Sequence, residues 1–316
     1  MERIELGTSG LQVSRIGLGM WQASGVQWGA DVNDADCIAA MRRAVELGVN
    51  LIDTAEVYGQ GHSEEVVGQA IKEIGRDNVV VASKVAGHHL RRDHVIRACE
   101  GSLNRLGLSE IDVYQVHWPD PWEQVPLEGT MRALETLHKK GRIRAIGVSN
   151  FAVRDLEEAR AHLSNADVVS NQVRYSLLHR EVEAEVEAEV LPYCKRERIT
   201  ILAYSPIAQG ALTGRYGPGN VPSDNVRKAS RLFRPENLQR AEPLVAVLRR
   251  FAEAHQRTIP QVALNWLHRD SVVIPIPGAK RPAQAEENAG ATGWALTDGE
   301  VREIDEVSAS LHLELF

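Results

Sequence analysis

Eight short apolar segments recur along this chain at nearly even spacing, and that rhythm limits the fold more than any other feature. They are IGLGMWQ from Ile16, NLIDTA from Asn50, NVVVASKVA from Asn78, DVYQVHW from Asp112, IRAIGVSN from Ile143, VVSNQVRY from Val168, TILAYSPI from Thr200 and SVVIPIPG from Ser271. Stretches of helical period separate them, and the centres of the first four fall about 33 residues apart. A strand reaches a parallel neighbour only through a crossover, so the alternation implies βαβ units. Eight of them predict an α/β chain folded as a (β/α)8 TIM barrel, which takes about 250 residues plus insertions. No Pro/Gly/Ser linker or change of composition divides the 316 residues, so residues 1–316 are expected to form one domain.

Ahead of the first segment, Arg3–Leu6 and Leu11–Ser14 flank Thr8-Ser9-Gly10 and read as an N-terminal β-hairpin. Ile38, Met41 and Val45 mark a helix over 34–47 that Gly48 stops. Ser63 is expected to cap the next helix, with Glu64 and Glu65 in its first turn. Further helices are expected over 92–106, 127–140, 152–163 and 181–198, the last interrupted by Pro192. The rhythm breaks once. More than 60 residues separate the seventh and eighth segments: a Gly/Pro-rich stretch over 210–222, a basic stretch over 227–234, a helix over 241–255 and another opened by Pro260. A long insertion after strand 7 lies on the face where barrels bind ligands, and Arg227, Lys228, Arg231 and Arg234 suit a phosphate-bearing one.

A net charge of −7 gives no general reason to bind nucleic acid or an anionic membrane. No stretch approaches the roughly 18 apolar residues of a membrane span, and no apolar signal segment follows Met1-Glu2-Arg3. Cys37, Cys99 and Cys194 are odd in number and far apart, as expected of a reducing compartment, so a cytoplasmic protein is expected. His88 and His89 are adjacent but lack a third ligand, and no metal is expected.

Polar residues gather at the C-terminal ends of the segments: Asp53 with Tyr58 beyond it, Lys84, His117, Ser149 with Asn150, and Gln172. In a barrel these ends open onto one face. Tyrosine alone is a poor acid at neutral pH, but a neighbouring ammonium favours its phenolate. Lys84 would be that ammonium, held charged by Asp53, and Tyr58 would serve as general acid–base. His117 would donate a hydrogen bond to the substrate oxygen. A proton relay without a nucleophile points to carbonyl–alcohol chemistry. A class I aldolase with a Schiff base on Lys84 is the competing enzyme reading, disfavoured because an ammonium paired with a carboxylate is a poor nucleophile.

Over essentially its whole length the chain resembles the aldo-keto reductases. The resemblance rests on LIDTAEVYGQGHSEEVVGQAI, VVVASKV, GLSEIDVYQVHWPD, GRIRAIGVSNF, NQVRYSLLHR, LAYSPIAQGALTGRY and IPGAKRPAQAEENAGA, in family order. It is similar to bacterial branches that also resemble potassium channel beta subunits, so a cofactor-sensing subunit of a larger complex is the alternative function. The resemblance implies a catalytic tetrad at Asp53, Tyr58, Lys84 and His117 and a bound NADPH/NADP, with NADH the second choice. It implies that Ser149, Asn150 and Gln172 hold the nicotinamide carboxamide and that Tyr204 stacks on the ring. Ser205, Pro206, Ala208, Gly210 and Arg215 would line the pyrophosphate, with Arg231 reaching a phosphate. Gly278, Lys280, Gln284, Glu287 and Asn288 match the adenosine end. Many members place a lysine and an arginine around the 2′-phosphate where this chain has Gly278 and Gln284, so Lys280 and Arg281 are expected to substitute. Trp21, Trp28 and Trp118 would wall a pocket for a small carbonyl or alcohol substrate. Gly17-Leu18-Gly19 lacks the third glycine of a Rossmann fingerprint, which rejects that fold.

Overall fold

The computed structural model describes residues 1–315 except 26–27, 30–31, 123 and 184–188. Strands β1 (Arg3–Glu5) and β2 (Gln12–Ser14) pair antiparallel as the N-terminal hairpin. The barrel strands follow as β3 (Leu18–Gly19), β4 (Leu51–Asp53), β5 (Val80–Val85), β6 (Ile111–Val116), β7 (Ile143–Ser149), β8 (Val168–Arg174), β9 (Thr200–Tyr204) and β10 (Val273–Pro275). All eight are parallel and lie in sequence order. Gly17 N–H donates to the Pro275 carbonyl (2.9 Å) and Gly19 bridges Gly278, which joins the first strand to the last and closes the barrel. Strand β3 is only two residues long, because Trp21–Ser24 turns into a 3₁₀ helix at once.

The barrel holds two apolar zones. Leu51, Val80, Ala82, Val113, Ala145, Val169, Leu202 and Ile274 fill its interior, and Leu6, Leu11 and Val13 of the hairpin plug the floor beneath them. The opposite faces of the strands pack on the outer ring: α1 (Asp34–Glu46), α2 (His62–Ile74), α3 (Arg92–Leu106), α4 (Leu127–Lys139), α5 (Val153–Ala161) and α6 (Val190–Glu197). With its floor plugged and its wall buried on both sides, the barrel leaves only the C-terminal mouth open.

Several local expectations change in the structure. Ser63 does not cap α2. Gly61 holds the cap position with a left-handed φ of 97°, and Ser63 lies one residue inside the helix, donating from the barrel wall to the Met20 carbonyl (2.8 Å). Its neighbour Glu64 is fully buried between the Ser83 hydroxyl (2.5 Å) and Arg105 Nε (2.7 Å). The helix expected over 181–198 splits into a 3₁₀ turn, Glu181–Glu183, and α6; residues 184–188 lie outside the described residues. Pro192 sits in the first turn of α6, where a missing N–H costs nothing.

In the long insertion, α7 (Asn225–Lys228) precedes α8 (Pro235–Ala254) and α9 (Ile259–Leu267). Helix α8 starts six residues before the expected 241, because Pro235 at its first position is already set for helix. Pro243 inside it faces solvent, where water can satisfy the carbonyl it leaves unpaired. Helices α10 (Pro282–Ala289) and α11 (Asp298–Ala309) end the chain. None of the helices described is long and apolar enough to cross a membrane. The three cysteines are free and buried.

Candidate active site

Asp53 ends β4, Lys84 is the fifth residue of β5, and His117 directly follows β6. Tyr58 opens the 3₁₀ turn after β4. Gly59 (φ 60°), Gln60 (φ 58°) and Gly61 (φ 97°) are all left-handed and fold the chain back over the mouth. Lys84 is fully buried, a placement that is costly unless the charge is paired and hydrogen-bonded. It has all three partners an ammonium needs: Asp53 Oδ1 (2.6 Å), the Thr54 carbonyl (2.9 Å) and Tyr58 Oη (3.2 Å). An ammonium only donates, so Tyr58 Oη accepts from it and keeps its own proton to give elsewhere.

Burial pulls the Lys84 pKa down, but Asp53 and Tyr58 outweigh it and the net direction is upward. Lys84 therefore stays charged. Tyr58 departs from expectation. Burial pushes its pKa up, and the opposing pull of Lys84 does not overcome that push. The consequence is a tyrosine that is protonated at neutral pH. His117 is shifted down to about 3, first by burial and then by Lys84, so its imidazole is neutral.

Asp53, Tyr58 and His117 open onto a cleft of about 1110 Å³ that runs from the Tyr58 side of the mouth to α10. At one end Trp21 stacks on Tyr58 (6.1 Å between centroids), Trp28 meets Trp21 edge-on (4.8 Å), and His117 meets Tyr58 edge-on (5.7 Å). Trp118 borders this end and is half exposed. Beside it lie Ser149, Asn150, Gln172 and Tyr204, already linked to one another. Ser149 Oγ donates to the Gln172 carbonyl (2.8 Å), Asn150 Nδ2 to Ser149 Oγ (3.0 Å), and Tyr204 Oη to Asn150 Oδ1 (3.1 Å). Ser205, Pro206, Gly210 and Arg215 line the middle, and Gly278, Lys280, Gln284, Glu287 and Asn288 the far end. Asn150, Ser205, Ala208 and Gln209 all have positive φ, a costly backbone that collects where a chain must shape a site.

Residues 15–309 match the profile of the Aldo/keto reductase family. The chain is 36% identical to aldo-keto reductase YhdN of Bacillus subtilis, across 97% of this chain and 93% of that one. It is 33% identical to the NADH-specific methylglyoxal reductase of Escherichia coli, across 98% and 99%. Its fold superposes on a solved aldo/keto reductase of Klebsiella pneumoniae in complex with NADP and acetate, with a TM-score of 0.79, 30% identity and 99% of each chain covered. The chain belongs to the aldo/keto reductase family.

Not every expected residue of this aldo/keto reductase reaches the cleft. Ala208 is buried beneath it, and Arg281 lies beside Asp36 on the outer surface (4.0 Å). Arg231 borders a separate basic pocket with Lys228 and Arg234. From that stretch it is Arg227 that enters the cleft, its guanidinium over the rings of Trp28 (5.6 Å) and Tyr216 (5.4 Å). Basic composition carries no signal for which of the four turns inward; Arg227 is held there by Asp224 (3.4 Å), by the Tyr216 hydroxyl and by the ring of Trp28. Arg174, Gln22 and Arg257 also line the cleft and were missed. The alternation of β8 beyond Gln172 offered a signal for Arg174, two residues further on the same face.

Two more histidines share the fate of His117. His179 is shifted to about 3 and His268 to about 4, both chiefly by burial. All three titrate near 6.5 when unfolded. Below that value the unfolded chain takes up protons that the native state refuses, so stability is full above pH 6.5 and falls as pH drops toward 4. Urea unfolding at pH 7.5, 6 and 5 is expected to give a midpoint that falls at each step. A midpoint constant across that range would refute neutral burial.

Proposed function

We propose that this chain reduces aldehydes and ketones to alcohols, reversibly, with a nicotinamide dinucleotide along the cleft and NADPH preferred over NADH. One observation carries the reading: a protonated Tyr58 hydroxyl borders the cleft while its oxygen rests on a buried ammonium. The donor set suits the cofactor. Ser149, Asn150 and Gln172 offer amide-matching groups, and Tyr204 offers a ring face. Ser205, Pro206, Gly210 and Arg215, joined by Arg227, face a pyrophosphate, while Lys280, Gln284, Glu287 and Asn288 form the adenosine end. His117 Nδ1, buried without a hydrogen-bond partner among the described residues, fits a site that completes its bonding with ligand.

When bound, the nicotinamide supplies the hydride, which no side chain can. The rest falls to the chain. Neutral His117 donates an N–H to the carbonyl oxygen, drawing charge toward it. Tyr58 gives that oxygen its proton, and Lys84, already in contact, stabilises the charge left on the phenol oxygen. Asp53 keeps Lys84 charged. In the oxidative direction the same groups take the proton back. Trp21, Trp28 and Trp118 pack the flanks of the substrate and thin the water around it. Because all three ammonium hydrogens of Lys84 are engaged, it is not available as a Schiff-base nucleophile.

Titration with NADPH and with NADH, followed by tryptophan fluorescence, tests the reading. NADPH is expected to bind more tightly. Lys280→Ala is expected to weaken NADPH roughly tenfold, the value of one charge-assisted contact, and NADH much less. Equal losses for both would move the 2′-phosphate away from Lys280. If neither dinucleotide binds, the reductase reading itself is overturned.

A further inference from the structure

Above the apolar layers of the barrel, one interior layer is polar. Inward side chains of a barrel layer come from alternate strands, and here β4, β6 and β8 contribute Asp53, Gln115 and Gln172. All three are buried, Gln115 completely. Lys84 holds one oxygen of Asp53, Oδ1 (2.6 Å). The other, Oδ2, accepts from Gln172 Nε2 (2.7 Å) and from Gln115 Nε2 (3.2 Å), and Gln172 Nε2 also approaches Gln115 Oε1 (3.4 Å). Space for Gln115 is made on purpose by the backbone of β7. A Cβ at Gly147 would sit 2.8 Å from Gln115 Cγ and 2.6 Å from Ser170 Oγ, so any other residue there would force one of these side chains to move.

Buried amides in a barrel interior are costly where a leucine would pack. Here they supply the donors that Asp53 needs on the side away from Lys84, and without them one carboxylate oxygen would be buried bare. The amide nitrogen of Gln172 is thereby committed to Asp53 and Gln115. We propose that Gln115 is a positioning residue of the proton relay, fixing Asp53 against Lys84 and locking Gln172 so that the amide end of the cofactor cleft and the Tyr58 proton donor form one hydrogen-bonded unit. The inference rests on the reductase reading above and extends it to a residue that never touches substrate.

Gln115→Met keeps the length and volume of the side chain and removes its donor. The expected result is a kcat roughly tenfold to a hundredfold lower, the effect of one lost hydrogen bond to a buried charge, with KM for the carbonyl nearly unchanged. A variant with wild-type kcat would reduce Gln115 to filler. A fall in kcat matched by a rise in KM and a fall in thermal stability would assign it a structural role and overturn the proposal. Tyr58→Phe is measured beside it. If that variant keeps full turnover, the reductase reading fails and takes this inference with it; if it is inactive while Gln115→Met is normal, this inference alone falls.

Discussion

Tyr58→Phe is expected to lower kcat by roughly a hundredfold to ten thousandfold, the range for loss of a positioned general acid. The fold should hardly notice. The hydroxyl makes one hydrogen bond, accepted from Lys84 at 3.2 Å, and Lys84 keeps its shorter contacts to Asp53 and Thr54 without it. The ring, which does the packing against Trp21 and His117, stays. Dinucleotide binding should also survive, because the residues around the cleft's middle and far end are untouched. The diagnostic pattern is thus an inactive protein of near-normal melting temperature that still quenches on NADPH. Loss of binding along with turnover would mean that Tyr58 shapes the cleft and does not deliver the proton.

The parts of this site that could be read from sequence are those a strand repeat places by itself. Asp53, Lys84 and His117 stand at the ends of consecutive strands, and parallel order alone puts strand ends on one face. Tyr58 lies five residues beyond Asp53, close enough to be carried along. The parts that could not be read depend on where the chain is dry and how the barrel is sheared. The expectation of a lowered Tyr58 pKa counted the charge of Lys84 and had no means to weigh burial, which wins. Gln115 reads as one polar residue in an apolar strand. Nothing local says that tilt brings it beside Asp53, 62 residues away. Ser63 followed by Glu64 and Glu65 reads as a cap, but the left-handed Gly61 starts the helix two residues earlier and keeps both glutamates in the first turn. In the long insertion, composition announced a basic surface without stating which arginine meets Trp28.

Lys84→Met has the largest expected effect on the protein as a whole. Removing one partner of a buried ion pair leaves the other charge uncompensated, which typically costs about 3–5 kcal/mol. Asp53 would keep the amide donors of Gln115 and Gln172 on Oδ2, so a value near the lower end, about 3 kcal/mol, is expected. Turnover should collapse as well, since Tyr58 would lose the cation that stabilises its phenolate. The two losses have different causes and can be separated. In Asp53→Asn with Lys84→Met neither charge of the pair remains, and replacing a whole ion pair by neutral groups is often close to neutral for stability. Chemical denaturation of the two single variants and the double variant should therefore show recovery of most of the lost stability. Turnover should remain as low in the double variant as in Lys84→Met. Recovery of stability without activity would mean that the pair is kept for its chemistry, at a site where an apolar pair would hold the barrel equally well. If the double variant is instead as unstable as Lys84→Met, the methylene stem of Lys84 and its bond to the Thr54 carbonyl anchor the mouth, and the charge pair is incidental to the fold.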